Sequence, residues 1–400
     1  MTLRSARQPG TAAGPRYPRA MPPTFELFAA CQPGLEPLLA AELQRLGIES
    51  TRVPGGASFR GDAATAQRCG LWLGTASHVL LRLAQFPCRA LGELQRKAAD
   101  LPWRQWLRPQ VPLQVRATTR GSRVYHTGAA EERIENAITT AFGRPLPKAH
   151  ADDELVARVH ARFRDDVCTL SLDSTGTPLH RRGYRLDGRK APLREDLAHA
   201  LLLAGGFADG DALLDPFCGS GTIAIEAAAL AAGLAPGRLR PPPLQHLALF
   251  DADTWQANVA ANPAHRPQAP IAGSDRDEGA IAAAKANAER AGVAGWIDFQ
   301  HAALAAQPWL QEHTAPQQGL LASNPPFGVR VGKGPDLRPL YQTLGNRAAR
   351  LGHGWRVALL AHDPRLVRRS GLPLQAAFST KHGGLPVTAL VGTAVLAAGS

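Results

Sequence analysis

The chain has 400 residues, of which 44% are hydrophobic and 20% are charged, and its formal net charge is +12. This composition excludes an intrinsically disordered chain and leaves room for two or three domains with buried cores. The positive charge favours a polyanionic partner such as nucleic acid. No apolar run approaches the roughly 20 residues that span a membrane, so no membrane partner is expected.

Five cysteines are scattered along the sequence, and none forms a Cys-x-x-Cys pair. This pattern excludes a structural zinc site, gives no sign of a metal, and predicts a protein of the reducing cytoplasm. Residues 1–22 contain four arginines, several glycines and prolines, and no acidic residue. They lack the apolar core of a signal peptide, and we predict a disordered basic tail.

Residues 23–174 predict a small α+β region, organised as two modules in series. Apolar periodicity and turn residues set the predicted elements. These elements are a strand at 25–30, a helix at 35–46, a helix at 63–83, a strand at 113–117, a helix at 131–142, and strands near 154–160 and 167–173.

Residues 175–192 have no regular period and are dense in basic residues, so we predict a linker with a basic face. Such a face suits the phosphates of an RNA backbone, with an aromatic ring interleaved among the cations. An ordinary solvated linker is the alternative. The candidate RNA contacts are Arg181, Arg182, Tyr184, Arg185, Arg189 and Lys190.

From residue 193 to residue 400 helices and strands alternate, which predicts a doubly wound parallel sheet in an α/β domain. Its predicted strands are at 212–215, 271–275, 297–301, 319–323 and 355–361. A proline-rich stretch begins an insertion at 235–270 that interrupts this alternation. Two late strands, near 376–380 and 389–395, are predicted to form an antiparallel edge.

The run Asp215-Pro216-Phe217-Cys218-Gly219-Ser220-Gly221-Thr222 follows a buried strand and opens a helix. Glycines in such a turn let a ligand approach the backbone, and the free amides of the helix start can bind its polar groups. The spacing is not the Gly-x-Gly-x-x-Gly of dinucleotide enzymes. We predict a cofactor site formed by Asp215, Pro216, Gly219, Ser220, Gly221 and Thr222.

Asp275 ends the next strand, where a carboxylate can accept hydrogen bonds from both hydroxyls of a ribose. We therefore add Asp275 to the predicted cofactor site. Asp277 lies close enough to compete for this role, although it can equally cap the following helix.

Asn324-Pro325-Pro326-Phe327 follows the fourth strand of the alternating region. The side-chain oxygen of Asn324 and a neighbouring carbonyl can accept the two N–H bonds of a planar amine, while the ring of Phe327 stacks on a base. The prolines fix the backbone of this segment. With the glycine turn upstream, these four residues predict methyl transfer from S-adenosylmethionine to an exocyclic nitrogen of a nucleic-acid base.

The sequence resembles THUMP-containing class I RNA methyltransferases of the RlmL-like, 23S ribosomal RNA guanine-N2 family. The resemblance implies a ferredoxin-like and THUMP RNA-binding region followed by a Rossmann-like methyltransferase domain. It also implies S-adenosylmethionine at the glycine turn, a guanine amine at Asn324 to Phe327, and ribosomal RNA as the partner. The residues that carry this resemblance are those of the two site motifs together with Phe59-Arg60-Gly61-Asp62, Leu179-His180-Arg181-Arg182-Gly183-Tyr184-Arg185, Ala191-Pro192-Leu193-Arg194-Glu195 and Lys381-His382-Gly383-Gly384.

Three alternatives stay open at this point. A tRNA guanine-N2 enzyme would use the same motifs. An adenine-N6 enzyme is a second alternative, because Phe327 stands where the resembled family usually has tyrosine and phenylalanine at this position also occurs in adenine-N6 enzymes. The third is a non-catalytic RNA-binding or ribosome assembly factor, because an acidic residue expected near Ala302 for the cofactor's adenine is replaced. The chain also ends without a second methyltransferase domain, so a dual activity is not expected.

Overall fold

The computed structural model describes residues 24–185, 192–311, 314–326 and 336–396. The predicted tail at 1–22 lies outside these residues. Within them, two mixed sheets each carry seven strands. In the part of the chain so described, no helix combines the length and the apolar character needed to cross a bilayer.

The N-terminal region is built on one continuous sheet with the strand order β2-β3-β1-β4-β7-β6-β5. Its strands are antiparallel except for the parallel pair β5 and β6. The two predicted modules therefore share a sheet, joined where β4 pairs with β7. The elements are β1 (Phe25–Cys31), α1 (Glu36–Arg45), β2 (Ser50–Val53), β3 (Gly56–Gly61), α2 (Ala63–Trp72), β4 (Ala76–Pro87), α3 (Leu91–Ala99), β5 (Leu113–Arg120), α4 (Thr127–Phe142), β6 (Ala157–Arg164) and β7 (Val167–Asp173).

The predicted helix at 63–83 is wrong in its second half. Helix α2 begins at the cap residue Asp62, whose side chain accepts a hydrogen bond from the Thr65 amide at 2.8 Å, and it ends at Trp72. Residues 76–87 instead form β4, which lies between β1 and β7 in the sheet. Val79 and Leu81 are buried there by strand pairing, which outweighs the helical spacing of the leucines.

The C-terminal sheet has the order β10-β9-β8-β11-β12-β14-β13. Strands β8 to β12 pair in parallel, and β13 and β14 add the predicted antiparallel edge. Because β9 and β11 flank β8, the loops after these strands meet at the switch point of the sheet, where ligands bind in open α/β folds. The elements are α5 (Glu195–Ala204), β8 (Ala212–Asp215), α6 (Thr222–Ala231), α7 (Ala252–Ala260), β9 (Ile271–Asp275), α8 (Glu278–Ala291), β10 (Ile297–His301), α9 (Pro308–Gln311), β11 (Gly319–Ser323), α10 (Arg338–Ala348), β12 (Trp355–Ala361), α11 (Pro364–Arg368), β13 (Gln375–His382) and β14 (Leu385–Thr393).

The insertion at 235–270 packs against the N-terminal region. Its backbone amides donate to carbonyls of that region, from Gly237 to Leu71 at 2.8 Å and from Leu244 to Ser174 at 2.7 Å. The insertion thereby forms part of the seam between the two sheets.

A buried polar cluster crosses the same seam. Glu42 of α1 accepts hydrogen bonds from the amides of Gly74 and Thr75 at 2.7 and 3.0 Å. The ring of His199 in α5 lies 3.3 Å from Glu42 through Nε2 and 3.3 Å from Glu226 of α6 through Nδ1. Burial alone would lower the pKa of His199, but the hydrogen bonds to the two glutamates raise it to about 9. The protonated ring therefore joins the two regions.

Candidate active site

The turn between β8 and α6 depends on two glycines with positive φ. A Cβ atom on Gly221, at φ +83°, would lie 2.8 Å from the Phe299 ring and 3.0 Å from the Ala284 side chain. A Cβ atom on Gly219, at φ +53°, would meet no other atom within 4 Å. Gly221 is therefore required by close packing, whereas Gly219 faces open space in which a ligand can approach the backbone.

Asp215 ends β8 and is buried at the base of this turn. Its Oδ1 accepts hydrogen bonds from the Phe217 amide at 3.1 Å and from the Ser323 hydroxyl at 2.5 Å. Burial raises the pKa of Asp215 to about 7, although both hydrogen bonds act to lower it. Since Ser323 ends β11, Asp215 connects the glycine turn to the loop that carries Asn324.

Asp275 ends β9 and supports the turn from the other side. Its Oδ2 accepts from the Gly219 amide at 3.0 Å and its Oδ1 from the Asp277 amide at 3.0 Å. The competing residue Asp277 caps α8, with its Oδ1 3.1 Å from the Ala280 amide. This geometry favours Asp275 over Asp277 as the acceptor beside the turn.

The other predicted turn residues occupy the same loop. Pro216 is buried, and the Ser220 carbonyl accepts from Asn287 of α8 at 3.0 Å. Thr222 begins α6, and its hydroxyl accepts from Arg185 Nη2 at 2.6 Å. The side chains of Asn287 and Arg185 thus stabilise the turn, a role that sequence reasoning did not assign to them.

Asn324 follows β11 directly. Its Oδ1 is buried and has no hydrogen-bond partner among the described residues. Pro325 is buried and Pro326 is exposed. The Pro326 carbonyl accepts from the Tyr341 hydroxyl of α10 at 3.4 Å, a second support that sequence reasoning missed. Predicted residue Phe327 lies outside the described residues.

Two predicted RNA contacts are corrected by the structure. Arg182 and Tyr184 are each only 2% exposed. Arg182 donates to the carbonyls of Leu179 and Gly74, both at 2.6 Å, and the Tyr184 hydroxyl donates to Glu226 at 3.2 Å. Both side chains belong to the seam and do not form part of an exposed basic face.

The other predicted RNA contacts differ in how far their side chains are exposed. Arg181 is exposed, while Arg185 is partly buried and also donates to the Leu193 carbonyl at 2.9 Å. Arg189 and Lys190 lie outside the described residues.

Comparisons with known proteins identify the family of the chain. A family model described as an RMKL-like methyltransferase domain matches residues 182–387. The chain belongs to this methyltransferase family. Models of the RlmL ferredoxin-like domain and the THUMP domain match residues 26–80 and 88–173. The predicted family and fold class are thereby confirmed.

Two relatives and one solved structure show how far the similarity extends. The ribosomal RNA large subunit methyltransferase K/L of Syntrophotalea carbinolica is 36% identical over 90% of this chain and 52% of its own length. The putative RNA methyltransferase slr0064 of Synechocystis is 33% identical over 92% of this chain and 96% of its own length. The crystal structure of SMU.472, a putative methyltransferase complexed with SAH, superposes with a TM-score of 0.82 at 25% identity, covering 93% of this chain and 99% of that one.

The chain spans about half the length of the curated K/L relatives that it matches. Its site residues fit the predicted cofactor of an RMKL-like methyltransferase, S-adenosylmethionine. Asp275 supplies a partly exposed carboxylate beside the turn, and the buried Asp215 supports the turn from within. The start of α6 supplies free amides, and Gly219 leaves the space beside the turn open.

Proposed function

We propose that this chain transfers the methyl group of S-adenosylmethionine to the exocyclic N2 amine of a guanine in ribosomal RNA of the large subunit. The K/L relatives are named for that RNA. A THUMP domain and a net charge of +12 support a structured RNA as the partner. We place the activity in the cytoplasm, where such an RNA is present and where the five free cysteines stay reduced.

The unpaired side-chain oxygen of Asn324 carries the proposal. A buried acceptor without a donor costs roughly 1–3 kcal/mol. An incoming amine would remove this cost by donating one of its N–H bonds. Because Ser323 joins the same loop to Asp215, the acceptor lies beside the glycine turn that we assign to the cofactor.

The chain's own residues would then act mainly by positioning. S-adenosylmethionine supplies an electrophilic methyl group on sulfur. Asn324 Oδ1 and the Pro325 carbonyl would accept the two N–H bonds of the guanine amine, which orients its weakly nucleophilic nitrogen. Phe327 would stack on the base, and Asp275 would accept the ribose hydroxyls of the cofactor. No strong general base is needed, since the amine becomes acidic as the N–C bond forms.

Replacing Asn324 by alanine tests this assignment. We expect Asn324→Ala to lower methyl transfer to 23S ribosomal RNA at least a hundredfold, a loss typical of removing one positioned polar group from a transition state. Its affinity for S-adenosylhomocysteine, measured by calorimetry, should change less than about threefold.

The matched control is Asn346→Ala, because Asn346 is an exposed asparagine of α10 outside the site. It should keep both the rate and the affinity. A rate for Asn324→Ala equal to that of the control would remove Asn324 from the mechanism.

The alternative functions give different results in the same assay. Label transferred to tRNA in preference to ribosomal RNA would indicate a tRNA enzyme, and labelled methyladenosine would indicate an adenine-N6 enzyme. A chain that binds RNA but gives no calorimetric heat with S-adenosylhomocysteine would be an RNA-binding or assembly factor.

A further inference from the structure

A cavity of about 560 Å³ lies where residues 177–185, the insertion, α5 and α8 meet. This volume is in the range of small-molecule sites and exceeds that of a single phosphate group. Ser220 of the glycine turn forms part of its wall, so the cavity borders the predicted cofactor site. Its lining is strongly basic. The arginines in the lining are Arg181, Arg182, Arg185, Arg194, Arg240 and Arg290.

Carboxylates neutralise only half of these arginines. Three have acidic partners: Arg182 lies 3.5 Å from Glu226, Arg185 lies 3.6 Å from Glu195, and Arg194 lies 2.6 Å from Asp196. The other half have no carboxylate within 4 Å among the described residues. These unneutralised cations are Arg181, Arg240 and Arg290.

Arg240 is the most informative of the three, because it is only 6% exposed. Its Nη2 donates to the Gly70 carbonyl at 2.5 Å, while Nε and Nη1 are buried without a partner in the described structure. Burial, with a smaller contribution from the charge of Arg182, lowers the pKa of Arg240 to about 9. A buried cation without an anion is unfavourable, and an oxyanion in the cavity would neutralise the charge of Arg240.

Arg290 also lines the cavity and is held in place by two hydrogen bonds. Its Nε donates to the Tyr184 carbonyl at 2.7 Å and its Nη2 to Asn287 Oδ1 at 2.5 Å. Asn287 in turn donates to the Ser220 carbonyl of the glycine turn. The basic wall and the cofactor turn are thus connected by hydrogen bonds through one asparagine.

We propose that this cavity binds a phosphodiester group of the RNA strand that carries the target base, through Arg181, Arg240 and Arg290. The proposal rests on the proposed function. An arginine guanidinium matches the planar arrangement of two phosphate oxygens, and three unneutralised arginines suit a backbone phosphate with its adjoining sugar. The carboxylate of the cofactor is the other oxyanion source near this turn, and the test separates the two.

The test compares Arg181→Gln and Arg240→Gln with the wild-type chain. Filter binding of transcribed 23S ribosomal RNA at several salt concentrations gives the slope of log affinity against log salt. Each variant should bind this RNA at least threefold more weakly and should lower the magnitude of the slope by about one, the effect of losing one phosphate contact. Affinity for S-adenosylhomocysteine should stay within a factor of two.

The matched control is Arg238→Gln. Arg238 belongs to the same insertion but donates to the carbonyls of Ala235 and Ala291, outside the cavity lining. It should keep the wild-type salt slope. Arg181 is exposed, so Arg181→Gln decides the matter if Arg240→Gln fails to fold.

Two results would overturn the proposal. If the variants lose affinity for S-adenosylhomocysteine and keep the wild-type salt slope, the cavity serves the cofactor carboxylate. If they keep both, the cavity binds no oxyanion. The proposed function is tested separately, by methylation of RNA with the wild-type chain. If the wild-type chain methylates RNA, the proposed function stands whatever the cavity binds. If it does not, the proposed function is refuted.

Discussion

At the scale of single residues, the site combines two carboxyls of different character. Asp275 is partly exposed and holds the Gly219 amide, whereas Asp215 is buried with its pKa raised to about 7 by desolvation. The Ser323 hydroxyl favours the ionised form of Asp215, since it donates to that carboxyl. Asp215 therefore acts mainly by connecting two loops, whereas Asp275 remains partly exposed beside the turn.

Gly221 is the residue whose replacement should damage the turn most directly. In Gly221→Ala, the positive φ costs roughly 1–2 kcal/mol. The added methyl group would also lie too close to the Phe299 ring and the Ala284 side chain, so either the turn or these side chains must shift. We expect affinity for S-adenosylhomocysteine to fall at least about tenfold, which corresponds to about 1.4 kcal/mol. Calorimetry measures this change.

Gly210→Ala is the matched control for this experiment. Gly210 has φ +93°, a Cβ atom added there would meet no other atom within 4 Å, and it precedes β8 at the opposite end from the turn. It carries the same backbone penalty without the contact, so it should lose stability but keep its affinity. Equal losses of affinity in both variants would show that the packing against Phe299 is unimportant.

At the scale of elements, the parallel strands were the most predictable part of the chain. The predicted bounds of β8, β9, β10, β11 and β12 match the structure, because each is a short, largely apolar segment followed by turn residues. The two loops of the site were predictable for the same reason, since their residues directly follow β8 and β11.

Elements whose position depends on distant partners were not predictable in this way. The stretch after Trp72 has leucines at helical spacing, yet it forms β4 because β1 and β7 provide pairing partners. The burial of Arg182 and Tyr184 depends on Glu226, more than 40 residues later in the sequence. A local sequence pattern carries no information about such a distant contact. The arginine-rich segment therefore predicted an exposed surface, although Arg182 and Tyr184 are buried.

At the scale of the whole molecule, the seam between the two sheets holds ionised groups whose charge depends on pH. Burial would raise the pKa of Glu226, but the charge of Arg182 and the hydrogen bond from His199 lower it to about 2. The pKa of His199 is raised to about 9 from an ordinary value of 6.5. The stabilisation from His199 is therefore complete below about pH 6.5 and is lost as the pH rises through 9. That from Glu226 is present above about pH 4.5 and is lost as the pH falls toward 2.

His199→Gln tests this dependence. The variant should be less stable than the wild type at pH 6 by on the order of a few kcal/mol, and the difference should shrink by pH 9.5, where the wild-type ring has lost its proton. Thermal unfolding of both proteins at both pH values measures this difference in stability. The exposed residue His353 provides the control His353→Gln, which should follow the wild type throughout. A stability difference between His199→Gln and the wild type that stays constant with pH would mean that His199 is neutral in the folded protein.

The central claim concerns the atom that receives the methyl group. The most direct measurement incubates the purified chain with unmodified 23S ribosomal RNA and isotopically labelled S-adenosylmethionine, followed by nuclease digestion and mass spectrometry of the nucleosides. We predict that the label appears in N2-methylguanosine and that Asn324→Ala lowers its incorporation at least a hundredfold. Label found only in N6-methyladenosine, or no label in any nucleoside of the wild-type reaction, would contradict the account.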